Sequence, residues 1–310
     1  MNKVCFGIDV GGTTVKMGLF QLDGQVLDKW EIRTNTDNHG VNILPDIASS
    51  MELKLKEKSI DKSQVVGAGI GVPGPVKADG TVLKAVNLGW SIFNVADTLE
   101  KLSGVHIKVG NDANVAALGE MWQGGGRGCE NVVMVTLGTG VGGGIIINGE
   151  VITGTNGAGG EIGHIHVEDN ETESCNCGKK GCLEQMASAT GIVRLANKVL
   201  KVSDNPSVLR GREVSAKAVF DAAKVGDKLA IEVVEQFGRY LGTVLANVAA
   251  VTDPEVFVIG GGVSKAGDIV LDYIKKYYEA HAFSACLEAK FSLAELGNDA
   301  GIYGAAKLVI

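Results

Sequence analysis

With 310 residues, 45% of them hydrophobic and 21% charged, the chain holds apolar material for two domains of ordinary size sharing a cleft, and its composition is not that of a disordered protein. A net charge of -7 without any run of Lys or Arg gives no electrostatic footprint for a nucleic acid, so none is expected as a partner. No apolar run reaches membrane-spanning length, and no basic stretch with an apolar segment precedes the first strand pattern; the expectation is a cytoplasmic protein with no membrane partner.

The chain opens as strand, turn, strand, turn, strand: 4–9, then 15–21 with Val15, Met17 and Leu19 alternating, then 26–33, with Gly11-Gly12 and Asp23-Gly24 as the turns. A helix at 43–58, a buried strand at 65–72, the Pro73-Gly74-Pro75 corner, a helix at 95–102 and a strand at 105–109 complete a first unit. A helix at 111–122 leads through Gly124 to Gly126 into strands at 132–137 and 142–147, again joined by a glycine turn. FGIDVGGTTVKMGLF from residue 6 and MVTLGTGVGGGIII from residue 134 share strand, Gly/Thr turn and strand, so the chain reads as internally duplicated. Beyond a loop-rich, Cys-containing segment at 154–181, helices are expected at 184–202, 215–226, 228–251 and 265–281. A strand at 256–259 separates the last two, and a strand at 289–296 and a helix at 300–309 close the chain. The pattern is α/β with mixed sheets.

Three glycine clusters carry the first chemical signal. The turn Asp9, Val10, Gly11, Gly12, Thr13, Thr14 joins two strands in hairpin length, so it is neither a P-loop nor a dinucleotide fingerprint, both of which need a helix to follow. Its tip offers backbone N–H groups and Thr hydroxyls to a phosphate, Lys16 adds a charge, and Asp9 is placed to hold Mg²⁺ through water. A plain hairpin is the alternative for this turn alone. The second turn, with Gly138, Thr139 and Gly140, makes a pair that would grip one polyphosphate from both sides. Gly260, Gly261 and Gly262, after a strand and before a helix, suit an adenosine or α-phosphate, or else tight strand–helix packing.

Cys175, Cys177 and Cys182 lie in CNCGKKGC, with His164 upstream in EIGHIH; three thiolates and an imidazole suit tetrahedral Zn²⁺. A redox cluster or unrelated thiols is the alternative, and spacing does not choose between His164 and His166. Cys5, Cys129 and Cys286 stand alone.

The two hairpins and the late glycine turn resemble the nucleotide-binding elements of the actin-like ATPase (ribonuclease H-like) fold, which implies two lobes, each built on a five-stranded mixed sheet, with a nucleotide and sugar cleft between them. GGEIGHIHVEDN through CNCGKKGCLEQ, together with DVGGTTVK, NLGW, NDAN and LGTGVGGG, resembles the ROK family of repressors, open reading frames and kinases over about residue 4 to the C-terminus. Within that family the Cys-x-Cys form and NLGW are similar to bacterial glucokinases. The resemblance implies ATP- and Mg²⁺-dependent phosphorylation of glucose to glucose 6-phosphate, with N-acetylmannosamine, fructose or allose as alternative hexoses. It implies Asp112 as general base, although a helix-capping role for Asn111 or Asp112 can coexist with that. It carries the sugar contacts to Gly74, Asn87, Asn111, Asp112, Glu161, His164 and Glu184, and a structural zinc to His164, Cys175, Cys177 and Cys182. It places ATP on Asp9, Gly11, Gly12, Thr13, Thr14, Lys16, Gly138, Thr139, Gly140, Gly260, Gly261 and Gly262. It further implies an N-terminal small domain at 1–110 onto which a C-terminal helix at 299–310 packs back, a large domain at 111–298 with the zinc loop, and a homodimer or homotetramer. A sugar-responsive repressor of the same family would need a DNA-binding extension ahead of the first hairpin, and Asp9 stands close to Met1. An actin-like assembly protein would leave the His/Cys cluster and NDAN without a job.

Overall fold

The computed structural model describes residues 3–310. Three strands, β1 (Val4–Val10), β2 (Thr14–Gln21) and β3 (Val26–Arg33), form an antiparallel meander. β1 is buried along nearly its whole length, as a near-continuous apolar run predicts for a central strand. A single turn α1 (Asp37–Gly40) and α2 (Ile43–Glu57) lead to β4 (Val65–Val72), then to a small ribbon of β5 (Thr81–Val82) and β6 (Phe93–Asn94). Next come α3 (Val95–Ser103), capped by the Asn94 side chain and ended by left-handed Gly104, β7 (Ile107–Asn111) and α4 (Asp112–Gln123). β4 and β7 run parallel to β1, giving the order β3-β2-β1-β4-β7.

The second half repeats this plan. β8 (Val132–Leu137), β9 (Val141–Ile147) and β10 (Glu150–Val151) form the meander; the helices α5 (Glu184–Ala187), α6 (Ala189–Val202), α7 (Ala216–Lys224) and α8 (Lys228–Thr252) follow. β11 (Val256–Gly260), α9 (Asp268–His281), β12 (Lys290–Leu293) and α10 (Ala300–Lys307) complete it. The order β10-β9-β8-β11-β12, antiparallel then parallel, matches the first sheet position for position. The fold is the two-lobed actin-like ATPase fold.

Four predicted boundaries move. The helix expected over 184–202 breaks at Ser188, which takes an extended backbone and turns its hydroxyl to the Gly191 N–H, so that α5 ends and a capped α6 begins. The helix expected from 265 starts at Asp268, because Gly267 at φ 83° ends a preceding 3₁₀ turn, Val263–Ala266. The strand expected at 105–109 lies at β7, two residues later. The last strand is shorter than 289–296, since its register with β11 stops at Leu293 opposite Ile259.

The helix that ends each half packs across onto the other half. α4 lies on β8 and β9, α10 lies on β1 and β4, and the two helices pack against each other. Glycines permit these approaches. A Cβ on Gly304 would overlap the Val115 carbonyl of α4, one on Gly119 the Ala300 carbonyl of α10, and ones on Gly7 and Gly69 the Ile302 and Ala305 carbonyls. Ala117, Leu118 and Met121 of α4 join Met134, Ile146 and Val258 in one core, while Ile302 and Ala306 of α10 join Cys5 and Phe20 in another. The crossed pair thus welds the two sheets.

Candidate functional site

The hairpins predicted at residues 9–14 and 137–142 are both present, with Val10 paired to Val15 and Leu137 to Val141. In the first, the Gly11 N–H donates to the Thr14 carbonyl at 3.0 Å, and the Thr34 hydroxyl donates to the Gly11 carbonyl at 2.7 Å, which stiffens the tip. Gly11, Gly12 and Thr13 face solvent; Asn87 stands beside Gly12, within ordinary van der Waals range of a Cβ built there. Lys16 is half-buried and donates to the Asn298 carbonyl at 2.9 Å.

Asp9 sits at the C-terminal part of β1, against Gly301 at the start of α10. Burial pushes its carboxyl up to about 6; nearby Lys16 opposes the rise, and the charge of Asp112 adds to it. A desolvated carboxylate of this kind fits a hard divalent cation.

Asp112 follows β7 directly. The N-cap of α4 is Asn111, whose Oδ1 accepts from the Ala113 and Asn114 N–H groups at 3.0 and 3.3 Å, so Asp112 is the first helical residue and not the cap. Asn111 also donates from Nδ2 to the Gly74 carbonyl at 3.0 Å, which leaves one of its amide hydrogens for a ligand. Gly74 takes φ 95°, and a Cβ there would overlap the Lys84 carbonyl, so the Pro-Gly-Pro corner reaches the NDAN segment only with glycine at its centre. The Asp112 side chain opens to solvent while the protein crowds around it, and this burial holds its carboxyl above the ordinary carboxylate range; the Ala113 N–H and Asn111 partly offset the rise.

The second hairpin is gripped from residues 184–190. The half-buried Glu184 Oε2 accepts from the Val141 N–H at 3.1 Å, Ala189 donates its N–H to the Gly138 carbonyl at 2.8 Å, and the Thr190 hydroxyl donates to the Thr139 carbonyl at 2.8 Å. Thr190 and Ser188 escaped the sequence reading. The Ser-x-x-Gly pattern at 188–191, a capping signal inside an apolar helical run, could have revealed them.

The third cluster divides. A Cβ on Gly260 would press on Met134 and Ala294, and Gly261, at φ 84°, lies directly on the Leu137 backbone; both glycines serve packing that brings this turn against the second hairpin. Gly262 and Gly138 have open space where a Cβ would go, and neither needs a left-handed backbone. The fold itself therefore does not require glycine at 138 or 262, and both suit a ligand lying on bare backbone.

The ligand atoms of His164, Cys175, Cys177 and Cys182 all lie within 4.8 Å of one another. Cys177 Sγ is 3.6 Å from Cys182 Sγ, and Cys175 Sγ is 3.8 Å from His164 Nδ1. Edges of roughly 3.5–3.8 Å are what a tetrahedron with Zn–S near 2.3 Å and Zn–N near 2.0 Å gives, whereas a disulfide needs sulfurs about 2 Å apart. The chain's own choice between histidines is visible: His166 is spent on the Lys180 carbonyl at 3.0 Å and on Asp169 at 2.8 Å. His164 turns its other nitrogen toward Glu161, 3.8 Å away, the arrangement in which a carboxylate orients a ligating imidazole. The loop is tied down by Arg194 on buried Glu171 at 2.6 Å and by Tyr240 on Glu168 at 2.6 Å. A cavity of about 600 Å³ between α2 and α3 is lined by none of these residues.

Residues 5–310 match the ROK family. The chain is 47% identical over 309 residues to a glucokinase of Halalkalibacterium halodurans, covering 98% of this chain and 94% of that one. It is 36% identical over 312 residues to a glucokinase of Thermotoga maritima, at 98% and 96% coverage. A crystal structure of a ROK family glucokinase from Streptomyces griseus in complex with glucose and AMPPNP superposes with a TM-score of 0.72 at 34% identity, covering 98% of each chain. With the two glycine hairpins, the NDAN segment and the His/Cys cluster in place, this protein belongs to the ROK family.

Proposed function

We propose that the protein is a glucokinase, an ATP-dependent hexose kinase that converts glucose to glucose 6-phosphate. The observation that carries the reading is the pairing of two phosphate-type hairpins with Asp112, a solvent-facing carboxylate crowded by protein that Asn111 frees from capping duty. The relatives named above support glucose over other hexoses. Division into lobes of residues 1–110 with 299–310, and 111–298, is supported by the packing of α10 on β1 and β4 and of α4 on β8 and β9.

In this reading Gly11 to Thr14 and Gly138 to Gly140 receive the triphosphate, with Gly262 against the nucleoside side. Gly74, Asn87, Asn111, Glu161, His164 and Glu184 orient the sugar through directional hydrogen bonds. Asp112 accepts the proton of the sugar hydroxyl as its oxygen bonds to the γ-phosphorus and the bond from that phosphorus to the β,γ-bridging oxygen breaks, releasing ADP. Burial holds its carboxyl above the ordinary range, which makes it a stronger proton acceptor than a free carboxylate. Mg²⁺ held through Asp9 would neutralise phosphate charge, and zinc on His164, Cys175, Cys177 and Cys182 would fix the loop that carries Glu161 and Glu184; four protein ligands leave it no open position for catalysis. Three thiolates suit a reducing, cytoplasmic setting.

A coupled assay of ADP release across a panel of hexoses tests this. Glucose should give the highest kcat/KM, and Asp112→Asn should lower kcat about 10²- to 10⁴-fold with its thermal midpoint preserved. An Asp112→Asn protein that keeps most of its activity, or a panel without a response, would sink the reading.

A further inference from the structure

The metal cluster and the second hairpin are linked by a short, continuous piece of chain. Cys182 is followed after one residue by Glu184, and α5 is a single helical turn that ends at the Ser188 break. Cys182 and the α5 residue Gln185 are joined twice: the Cys182 N–H donates to Gln185 Oε1 at 3.2 Å, and the Gln185 N–H donates to the Cys182 carbonyl at 3.0 Å. Glu184 reaches both ways, with Oε1 3.5 Å from Cys175 Sγ and Oε2 accepting from Val141. At the far end, Ala189 and Thr190 hold the Gly138 and Thr139 carbonyls, and the Ser188 and Thr190 hydroxyls lie 2.9 Å apart. Three residues of the hairpin, Gly138, Thr139 and Val141, are therefore positioned by the segment that begins at a cluster cysteine.

We propose that the cluster and the nucleotide hairpin are thermodynamically coupled through residues 182–190, so that an occupied metal site favours nucleotide binding and bound nucleotide favours metal retention. The idea rests on the kinase reading above and adds a second role for the cluster, directed at the phosphate side of the cleft and not only at the sugar. The physical basis is shared ordering: fixing Cys175 and Cys182 fixes α5, and a fixed α5 presets the Gly138–Val141 backbone, whose ordering a nucleotide would otherwise have to supply. Coupling of this kind is reciprocal in the two binding equilibria.

The reciprocity gives a test with no need for metal-free protein to stay active. Zinc on the full-length protein is titrated at equilibrium against a chromophoric chelator, in the absence of sugar, with and without saturating ADP. ADP should raise the apparent zinc affinity about fivefold or more; zinc taken by free ADP acts in the opposite direction, so it cannot mimic this. Thr190→Val, which removes the hydroxyl on Thr139 but touches no cluster cysteine, should bring the ADP effect close to onefold, and Thr190→Ser should restore it. Equal zinc affinity with and without ADP, in wild-type protein shown by calorimetry to bind ADP, overturns the coupling alone. A protein that takes up no zinc overturns it too. Failure of zinc-loaded wild-type protein to bind ADP would remove the kinase reading, and the coupling with it.

Discussion

Two residues at the cleft carry opposite kinds of information. Asp9 is a carboxylate that the ligand-free protein holds at a cost: with its carboxyl pushed up to about 6 by burial, against about 3.9 in an unfolded chain, the folded state binds the extra proton between those values. Its contribution to stability therefore falls as pH rises from about 4 to 6 and stays lost above. Asp9→Asn should raise the unfolding free energy of ligand-free protein at pH 7.5 by about 1 kcal/mol, less than half of the roughly 3 kcal/mol that two pKa units allow, because the side chain is partly exposed. The same comparison at pH 4 should show little difference. Denaturant titrations of the two proteins across that range check this, and a difference that grows toward low pH would contradict it. Other carboxylates, such as Asp227 held low by backbone N–H groups, shift both proteins alike and cancel. Gly138 is the complementary case. Since nothing lies within 4 Å of a Cβ there, Gly138→Ala should leave the thermal midpoint unchanged while raising KM for ATP about tenfold, equivalent to ~1.4 kcal/mol of lost binding. A lost midpoint would make this glycine a folding residue and not a ligand-approach residue.

At the scale of elements, legibility tracked how local the cause was. Both glycine hairpins and the strands Val26–Arg33, Val65–Val72 and Val132–Leu137 could be read directly, because alternation or apolar runs bounded by Gly and Asp encode them without distant help. His164 could not be told from His166 as the candidate ligand by spacing; what separates them is their partners, 11 and 14 residues away at Cys175 and Lys180. Ser188 lies inside an apolar run that continues helical periodicity on both sides, so the capping signal at 188–191 is easily overlooked until its cap bond is seen. Gly7, Gly69, Gly119 and Gly304 look in sequence like weak points of strands and helices, yet each marks where α10 and its partners touch. Gly304→Ala should destabilise the protein by about 3 kcal/mol, near the upper end for overpacking, since the new methyl meets the α4 backbone and not a flexible side chain. Gly128→Ala, which meets no atom but sits at φ 89°, provides a contrast that reports only backbone strain, with an expected loss of about 1 kcal/mol. Thermal or urea unfolding ranks the two, and a reversed order would mean that the crossing helices can slide apart at little cost.

The same crossing governs the molecule as a whole. Two sheets with separate cores would by themselves permit two independent unfolding units. α4, however, follows the last strand of the first sheet and is buried on the second, while α10 follows the last strand of the second sheet and is buried on the first. Neither half completes its buried surface from its own continuous stretch of chain. Unfolding the first half strips α10 of Cys5 and Phe20, and unfolding the second strips α4 of Met134 and Val258. The ligand-free protein should then melt in one calorimetric transition, with van't Hoff and calorimetric enthalpies in agreement. Deleting 299–310 should uncouple the halves by exposing the glycine-lined face of β1 and β4, giving an early transition from the first half and a later one from the second. Two resolved transitions in the intact chain, or one unaltered transition after the deletion, would contradict the weld. The cleft hangs on this weld: Asp9, on β1, abuts the start of α10, and Asp112 is the first residue of α4, so both carboxylates of the proposed kinase site sit against the N-terminal ends of the two crossing helices. Asp9 pairs with Lys16 across the first glycine hairpin, and Asp112 follows β7 of the same sheet, so the weld fixes these two carboxylates relative to that hairpin.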